Sequence, residues 1–466
     1  MERTAARDGV RRRRARRAAA ACLLALLAAS ATAGARAVSA VRPPGLAYTE
    51  STLPNGLRLI VHEDHSTPVV NVQVWYHVGS KNERPGRTGF AHLFEHMMFK
   101  GSKNVEPEQH ASLVAGVGGQ ANAYTTEDVT VFWETVPSQY LPMALWLEAD
   151  RMATLRIERD VFEREREVVK EERRMRVENQ PYGRLSEIVN GFAFTVHPYR
   201  HSTIGSMADL EAASVDDVRE FYRTFYVPAN ATVTIAGDVD SRSAAELAAK
   251  YFGRIPPTAR AVPGNIPAEP RHASLRRLTV EESWPLPVVV VAHHVTFDGH
   301  PDSYPLHMAS KILSDGQSSR IFRRLVYETG IALSAAGVGN LNEHPGLFYA
   351  FAVVQPGHTA AEAEQALVRE LDRLRTEPVS DRELTRAKNQ FTRDYVLGRQ
   401  TVQQKASVLA HASVLHKGDV GSADAEFDLF QRTTAADIQR VAETYFAPGS
   451  RIVITVTPKP ATGDVK

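Results

Sequence analysis

The chain has 466 residues, with 55 Lys and Arg against 54 Asp and Glu, a formal net charge of +1 and a single cysteine. Nine of the arginines and two of the acids fall in residues 1–40, so the remainder holds 46 basic against 52 acidic residues and a net charge of −6. That balance gives no electrostatic case for nucleic acid or anionic lipid as a partner, and with Cys22 as the only thiol it excludes a disulfide or a cysteine-bound metal beyond residue 40.

Residues 11–14, Arg16 and Arg17 are followed by an Ala/Leu block over 18–29 and by small-residue sites at Ala31-Thr32-Ala33, Ala35-Arg36-Ala37 and Val38-Ser39-Ala40. This is the layout of a secretory signal peptide over residues 1–40. It predicts export, to the periplasm of a Gram-negative bacterium, with no membrane span once the leader is removed, because no later segment approaches about 20 apolar residues. The rival is a mitochondrial presequence and a matrix location, but the Ala/Leu block is less amphipathic than such a peptide requires.

Residues 57–76, with Pro68-Val69-Val70, read as paired strands. The almost wholly apolar run 90–99 then contains His92-Leu93-Phe94-Glu95-His96. A helix here sets the two histidines one turn apart on one face, the spacing at which two imidazole nitrogens grip one zinc ion. The order is the inverse of the commoner zinc-protease motif. The plainer reading is a structural histidine pair, yet three polar groups among Phe90, Leu93, Phe94, Met97 and Phe99 are costly unless something satisfies them.

A catalytic zinc usually has three protein ligands and an open position. Residues 160–180 are crowded with charge, but Val161, Phe162, Val168, Val169 and Met175 form a stripe. At about 100° per residue its centre falls on Glu165 and Glu172, with Glu163, Glu167 and Glu171 to the side. Glu172 is therefore the expected third ligand, and Glu165 a group that orients a histidine or substrate. The alternative for both is a pairing with Arg164 or another nearby arginine.

An internal repeat divides the chain: Asp217-Val218, Thr224-Phe225-Tyr226, Pro228 and Val233 have counterparts Asp437-Ile438, Thr444-Tyr445-Phe446, Pro448 and Val453, all displaced by 220 residues. Residues 275–294 repeat the strand pattern of 57–76, and Lys311 stands about where the first copy has His92. The division predicts a metal-binding domain over 45–255, a Pro-rich connection over 256–270 and a second, similar domain over 271–460 without the ligands. The fold class expected is α+β, each half an antiparallel-rich sheet covered on one face by helices.

Taken together these motifs resemble the pitrilysin/insulinase-type zinc metallopeptidases, especially the branch similar to the mitochondrial processing peptidases. The elements carrying the likeness are the His92 to His96 motif, Glu172 within Glu165-Arg166-Glu167-Val168-Val169-Lys170-Glu171-Glu172, Gly118-Gly119-Gln120-Ala121-Asn122-Ala123, His197-Pro198-Tyr199, Ile204-Gly205 and Tyr226-Val227-Pro228-Ala229-Asn230. The resemblance implies a clamshell of two halves, one Zn2+ per chain on His92, His96 and Glu172, and Glu95 as the general base that activates water against a peptide bond. It also implies an edge strand on which substrate adds, with Asn122, Ala123, Tyr124, Thr125 and Thr126 as candidate peptide contacts. A turn that needs positive φ explains Gly118 and Gly119 equally well.

One departure stands out. Active members of the family usually carry an Arg and a Tyr seven residues apart in the second half, where this chain has Val326 and Leu333. Neither side chain can donate a hydrogen bond. That predicts a heterodimer in which a homologous subunit supplies the missing pair; a homodimer, or a displaced phenol from Tyr327, is the alternative. A non-catalytic peptide-binding or scaffold subunit of the same fold is the other functional class, although it would need none of His92, Glu95, His96 or Glu172.

Overall fold

A computed structural model describes residues 42–258 and 261–460, so the expected leader over residues 1–40 lies outside the described residues. From Leu46 onward the chain forms one compact unit containing two sheets. The first is built from β1 (Thr49–Thr52), β2 (Arg58–Glu63), β3 (Val69–Tyr76), β4 (Gln120–Thr125), β5 (Thr130–Pro137) and β6 (Ala231–Gly237), in the order β1-β2-β6-β3-β5-β4. The second has β7 (Arg276–Glu282), β8 (Val288–His294), β9 (Ala332–Asn340), β10 (Leu347–Val354) and β11 (Ile452–Pro458), in the order β7-β11-β8-β10-β9. Apart from β1 the two orders are the same, and among the described residues the only parallel pair in each is the corresponding one, β2 with β6 and β7 with β11.

β2 and β3 were expected to pair, and they do not. The last strand of each half enters between the first two: β6 is buried along its whole length and takes the central place, with β2 on one side and β3 on the other. A strand rich in Ala, Val, Ile and Thr, buried on both sides, is most stable where both faces are covered.

The helices of the first half are α1 (Phe90–Met97), α2 (Gln109–Gly116), α3 (Leu141–Thr154), α4 (Arg159–Arg173), α5 (Leu185–Ala193), α6 (Met207–Ala212), α7 (Val215–Phe225) and α8 (Ser241–Phe252). Those of the second are α9 (Ser303–Ser314), α10 (Ala360–Thr376), α11 (Asp381–Leu397), α12 (Val402–Leu415), α13 (Ser422–Arg432) and α14 (Ala435–Tyr445). The repeated aspartates have a local cause. Ser214 caps α7 and Asp217 answers it in a capping box; Thr434 and Asp437 do the same for α14.

Helices cover both faces of each sheet, not one. Val70, Val72, Val74 and Tyr76 face the first half's own core with Leu93, Phe94 and Leu145. The opposite face presents Trp75 and Val131, which pack on Ala410 and Val414 of α12, a helix of the other half; Ile60 meets Leu409, and Ala236 meets Val402 and Ala406. The second sheet is completed in return by α5, whose Val189 and Ala193 pack with Val288, Val290, Ala292 and Ile454. The apolar residues of these second faces would be exposed without that mutual cover, and their burial binds the halves through the hydrophobic effect, with Gln73 Nε2 adding hydrogen bonds to the Gln403 carbonyl and Ser407 Oγ of α12 at 2.9 and 3.0 Å.

A polar clamp adds to it. Buried Lys81 donates to Asp128 at 2.9 Å and also pairs with Glu343, while Tyr199 donates to Asp128 at 2.6 Å. The Glu343 and His344 N–H groups return hydrogen bonds to Asp128 and the Tyr199 oxygen, at 3.0 and 3.1 Å. No helix among the described residues is long and apolar enough to cross a membrane.

Candidate metal centre

α1 is fixed by its apolar side. Phe90, Leu93, Phe94 and Met97 are buried, and the Phe94 ring lies 4.0 Å from that of Tyr226. The helix starts at Gly89, whose φ of +90° only glycine adopts cheaply and where a Cβ would lie 2.5 Å from the Ile204 carbonyl. Glu83, buried, accepts from the Gly89 and Ala91 N–H groups at 2.9 and 2.8 Å and so satisfies this helix end. With that side committed, His92, Glu95 and His96 are left on the side that faces α4 and β4.

α4 supplies the carboxylates. Phe162, Glu165 and Val169 are buried, Glu172 is half-buried beside them, and Glu163, Glu167 and Glu171 are exposed, as expected. Val168 and Met175 are not part of the stripe: they are 48% and 59% exposed. The inward face runs through positions 162, 165, 169 and 172, and beyond Arg173 the helix widens into a π-helical segment, Arg174–Glu178, that changes the phase before Met175.

The two elements bring the predicted ligands together. His92 Nε2 is 3.8 Å from Glu172 Oε1, and His96 Nε2 is 3.3 Å from Glu172 Oε2. Ligand atoms of all three lie within 4.8 Å of one another. Burial, then the neighbouring His96, holds the His92 imidazole down to about 4, so it is neutral near pH 7 with a lone pair to offer. Its buried Nδ1 has no hydrogen-bond partner. The other nitrogen, Nε2, is the one that faces the Glu172 carboxylate, and a neutral imidazole lone pair opposite a carboxylate is a donor set that fits a cation between them. Glu172 also pairs with the exposed Arg176, at 2.5 Å, the arginine pairing that was the alternative reading.

Glu165 lies 3.7 Å from His96 Nδ1 and 3.1 Å from Lys100 Nζ. Burial alone would raise its carboxyl, but the neighbouring His96 and Lys100 prevail and lower it. Glu95 goes the other way: burial raises it, against a 2.6 Å hydrogen bond donated by Thr125 Oγ1.

The expected peptide contacts divide by strand alternation. β4 is the sheet edge, paired among the described residues only with β5. Thr125 points to Glu95, whereas Tyr124 points through the opposite face and meets Trp75 edge-on at 6.3 Å. Asn122 shares Tyr124's side by alternation, and Thr126 accepts from the Asp128 and Val129 N–H groups within its own turn. In the second half Leu333 is 52% and Tyr327 83% exposed, while Lys311 pairs with Asp315 and Asp394. Sequence reasoning missed Thr125 as the partner of Glu95, Glu83 as the cap and Lys100 beside Glu165. Only Lys100, four residues beyond His96, carried a positional signal.

Residues 58–206 match the family model described as insulinase, peptidase family M16, and residues 212–391 match the M16 inactive domain. The chain is 30% identical over 410 residues to the zinc protease PqqE of Helicobacter pylori, covering 87% of this chain and 92% of that one. It is 26% identical over 409 residues to a probable mitochondrial-processing peptidase subunit beta of Arabidopsis thaliana, covering 85% and 75%. The crystal structure of a protease from Helicobacter pylori superimposes with a TM-score of 0.85 at 29% identity, over 89% of this chain and all of that one.

Proposed function

The chain belongs to the insulinase-type M16 peptidase family, and from that premise we propose that it is an exported zinc metalloendopeptidase acting on peptides or unfolded segments. The observation that carries this reading is the convergence of His92, His96 and Glu172 beside a carboxyl, Glu95, that is not needed as a ligand. Zinc bound to the three would act as a Lewis acid toward water and the scissile carbonyl. Glu95 takes the proton of the attacking water and delivers it to the leaving amine; its burial raises its basicity toward that task. Glu165 holds the His96 ring through Nδ1, leaving Nε2 for the ion. The edge of β4 receives substrate as an added strand through its backbone, with Thr125 tied to Glu95 directly below.

The missing Arg and Tyr shape the rest of the reading. Leu333, exposed where a phenol is expected, offers substrate no hydrogen bond, so a homologous subunit contributes these groups in a heterodimer. The test compares this chain, its Glu95→Gln variant and the chain with its genomic neighbour, measuring bound zinc and cleavage of unstructured peptides. Glu95→Gln should keep its zinc and lose about 10²- to 10⁴-fold in turnover, and His92→Ala should lose the ion. A Glu95→Gln variant as active as the parent sinks the general-base role. Full activity of the chain alone sinks the heterodimer.

A further inference from the structure

A second group of two imidazoles and one carboxylate lies on α12, the helix that covers the face of the first sheet opposite α1. His411 is one turn before the end of α12, His416 is its C-cap, and Asp298 sits in the loop between β8 and α9. Asp298 Oδ2 is 3.1 Å from His416 Nε2 and 3.6 Å from His411 Nε2, and the two rings are 5.4 Å apart. Those nitrogen-to-oxygen spacings match the 3.3 and 3.8 Å found at His96 and His92, and the ligand atoms again lie within 4.8 Å of one another.

The outer contacts give the group its direction. Ser422 Oγ donates to the Asp419 carbonyl at 2.6 Å, so toward His416 Nδ1, 2.8 Å away, it can only accept. Nδ1 therefore carries a proton, and Nε2 faces a carboxylate across 3.1 Å, an arrangement that requires a positive charge on or beside it. A second hydrogen bond that fixes the tautomer is what metal-bound histidines have. His411 is 42% exposed on its side chain, which leaves a path for an ion.

The other comparable groups are already filled. Glu269, beside His272 and His294, accepts from the Thr195, Val196 and His197 N–H groups, and Glu148, beside His110 and Glu134, is held by the Arg151 guanidinium. We propose that Asp298, His411 and His416 form a second metal site, for a divalent transition ion of the zinc–nickel class that takes imidazole and carboxylate together. It ties the end of α12 to the β8–α9 loop and so pins the helix that closes the first sheet.

Metal content measured by mass spectrometry on the full chain, loaded with Zn2+ and freed of excess, tests this. The wild type should hold about two ions and His92→Ala about one, the latter lost on adding either His416→Gln or His411→Gln. Cobalt-loaded His92→Ala protein should show a visible absorption band that the added substitutions abolish. An ion-free His92→Ala chain, meaning an ion pair only, overturns the proposal. So does a retained ion that survives both glutamine substitutions. Failure of the first site reads differently: wild type and His92→Ala would then hold the same single ion, which His416→Gln alone removes.

Discussion

Glu95 is held between two opposing influences, burial that raises its carboxyl and the Thr125 hydroxyl that lowers it. Thr125→Val removes the second without changing shape. A hydrogen bond to a charged group is worth about 1.5–3 kcal/mol, so the variant's carboxyl should rise further. In the proposed role Glu95 acts deprotonated, so the acid limb of the pH–rate profile should move to higher pH, with zinc content unchanged; an unmoved limb would show that Thr125 does not tune it. His92, Glu95 and His96 were legible because helical phase alone places them. That Thr125 hydrogen-bonds Glu95 was not legible, since nothing local in a strand 30 residues away announces which helix it will face.

At the level of elements, the two copies of the repeat reuse the same cap, Ser214 with Asp217 and Thr434 with Asp437. Ser214→Ala and Thr434→Ala should each cost about 1 kcal/mol, and the two losses should add, because the caps lie in different halves with no shared partner; chemical denaturation of the single and double variants measures this. Helix and strand identity was readable from periodicity and the halves from the repeat. Two features were not. The position of β6 between β2 and β3 depends on pairing across most of a half, which local pattern does not encode. Likewise Val189 and Ala193 mark an apolar face on α5, but a face of that kind does not say whose sheet it covers. The inward side of α4 was read correctly at Glu165 and Glu172 and wrongly at Val168 and Met175, where a stripe fitted to five residues absorbed two exposed ones.

Across the whole molecule, the clamp around Lys81 is the polar counterpart of the apolar cover. Lys81→Met leaves Asp128 and Glu343 without their cation and should destabilise the fold by about 3–5 kcal/mol. Burial would raise Glu343, but His77 and Lys81 hold it down to about 2. That lies below the roughly 4.3 of an unfolded glutamate, so its contribution is complete above that pH and is lost as the pH falls toward 2. Glu343→Gln should therefore flatten the loss of stability in that acid range, as followed by denaturation at successive pH values; an unchanged slope would remove Glu343 from the clamp's energetics. The crossed placement of α5 and α12 reaches further back. It has the geometry of a domain-swapped dimer whose subunits became joined end to end. A single repeat closes its own core but leaves the second face of its sheet bare, so two copies trading arms as a symmetric pair would cover both faces, and joining them end to end makes that trade internal.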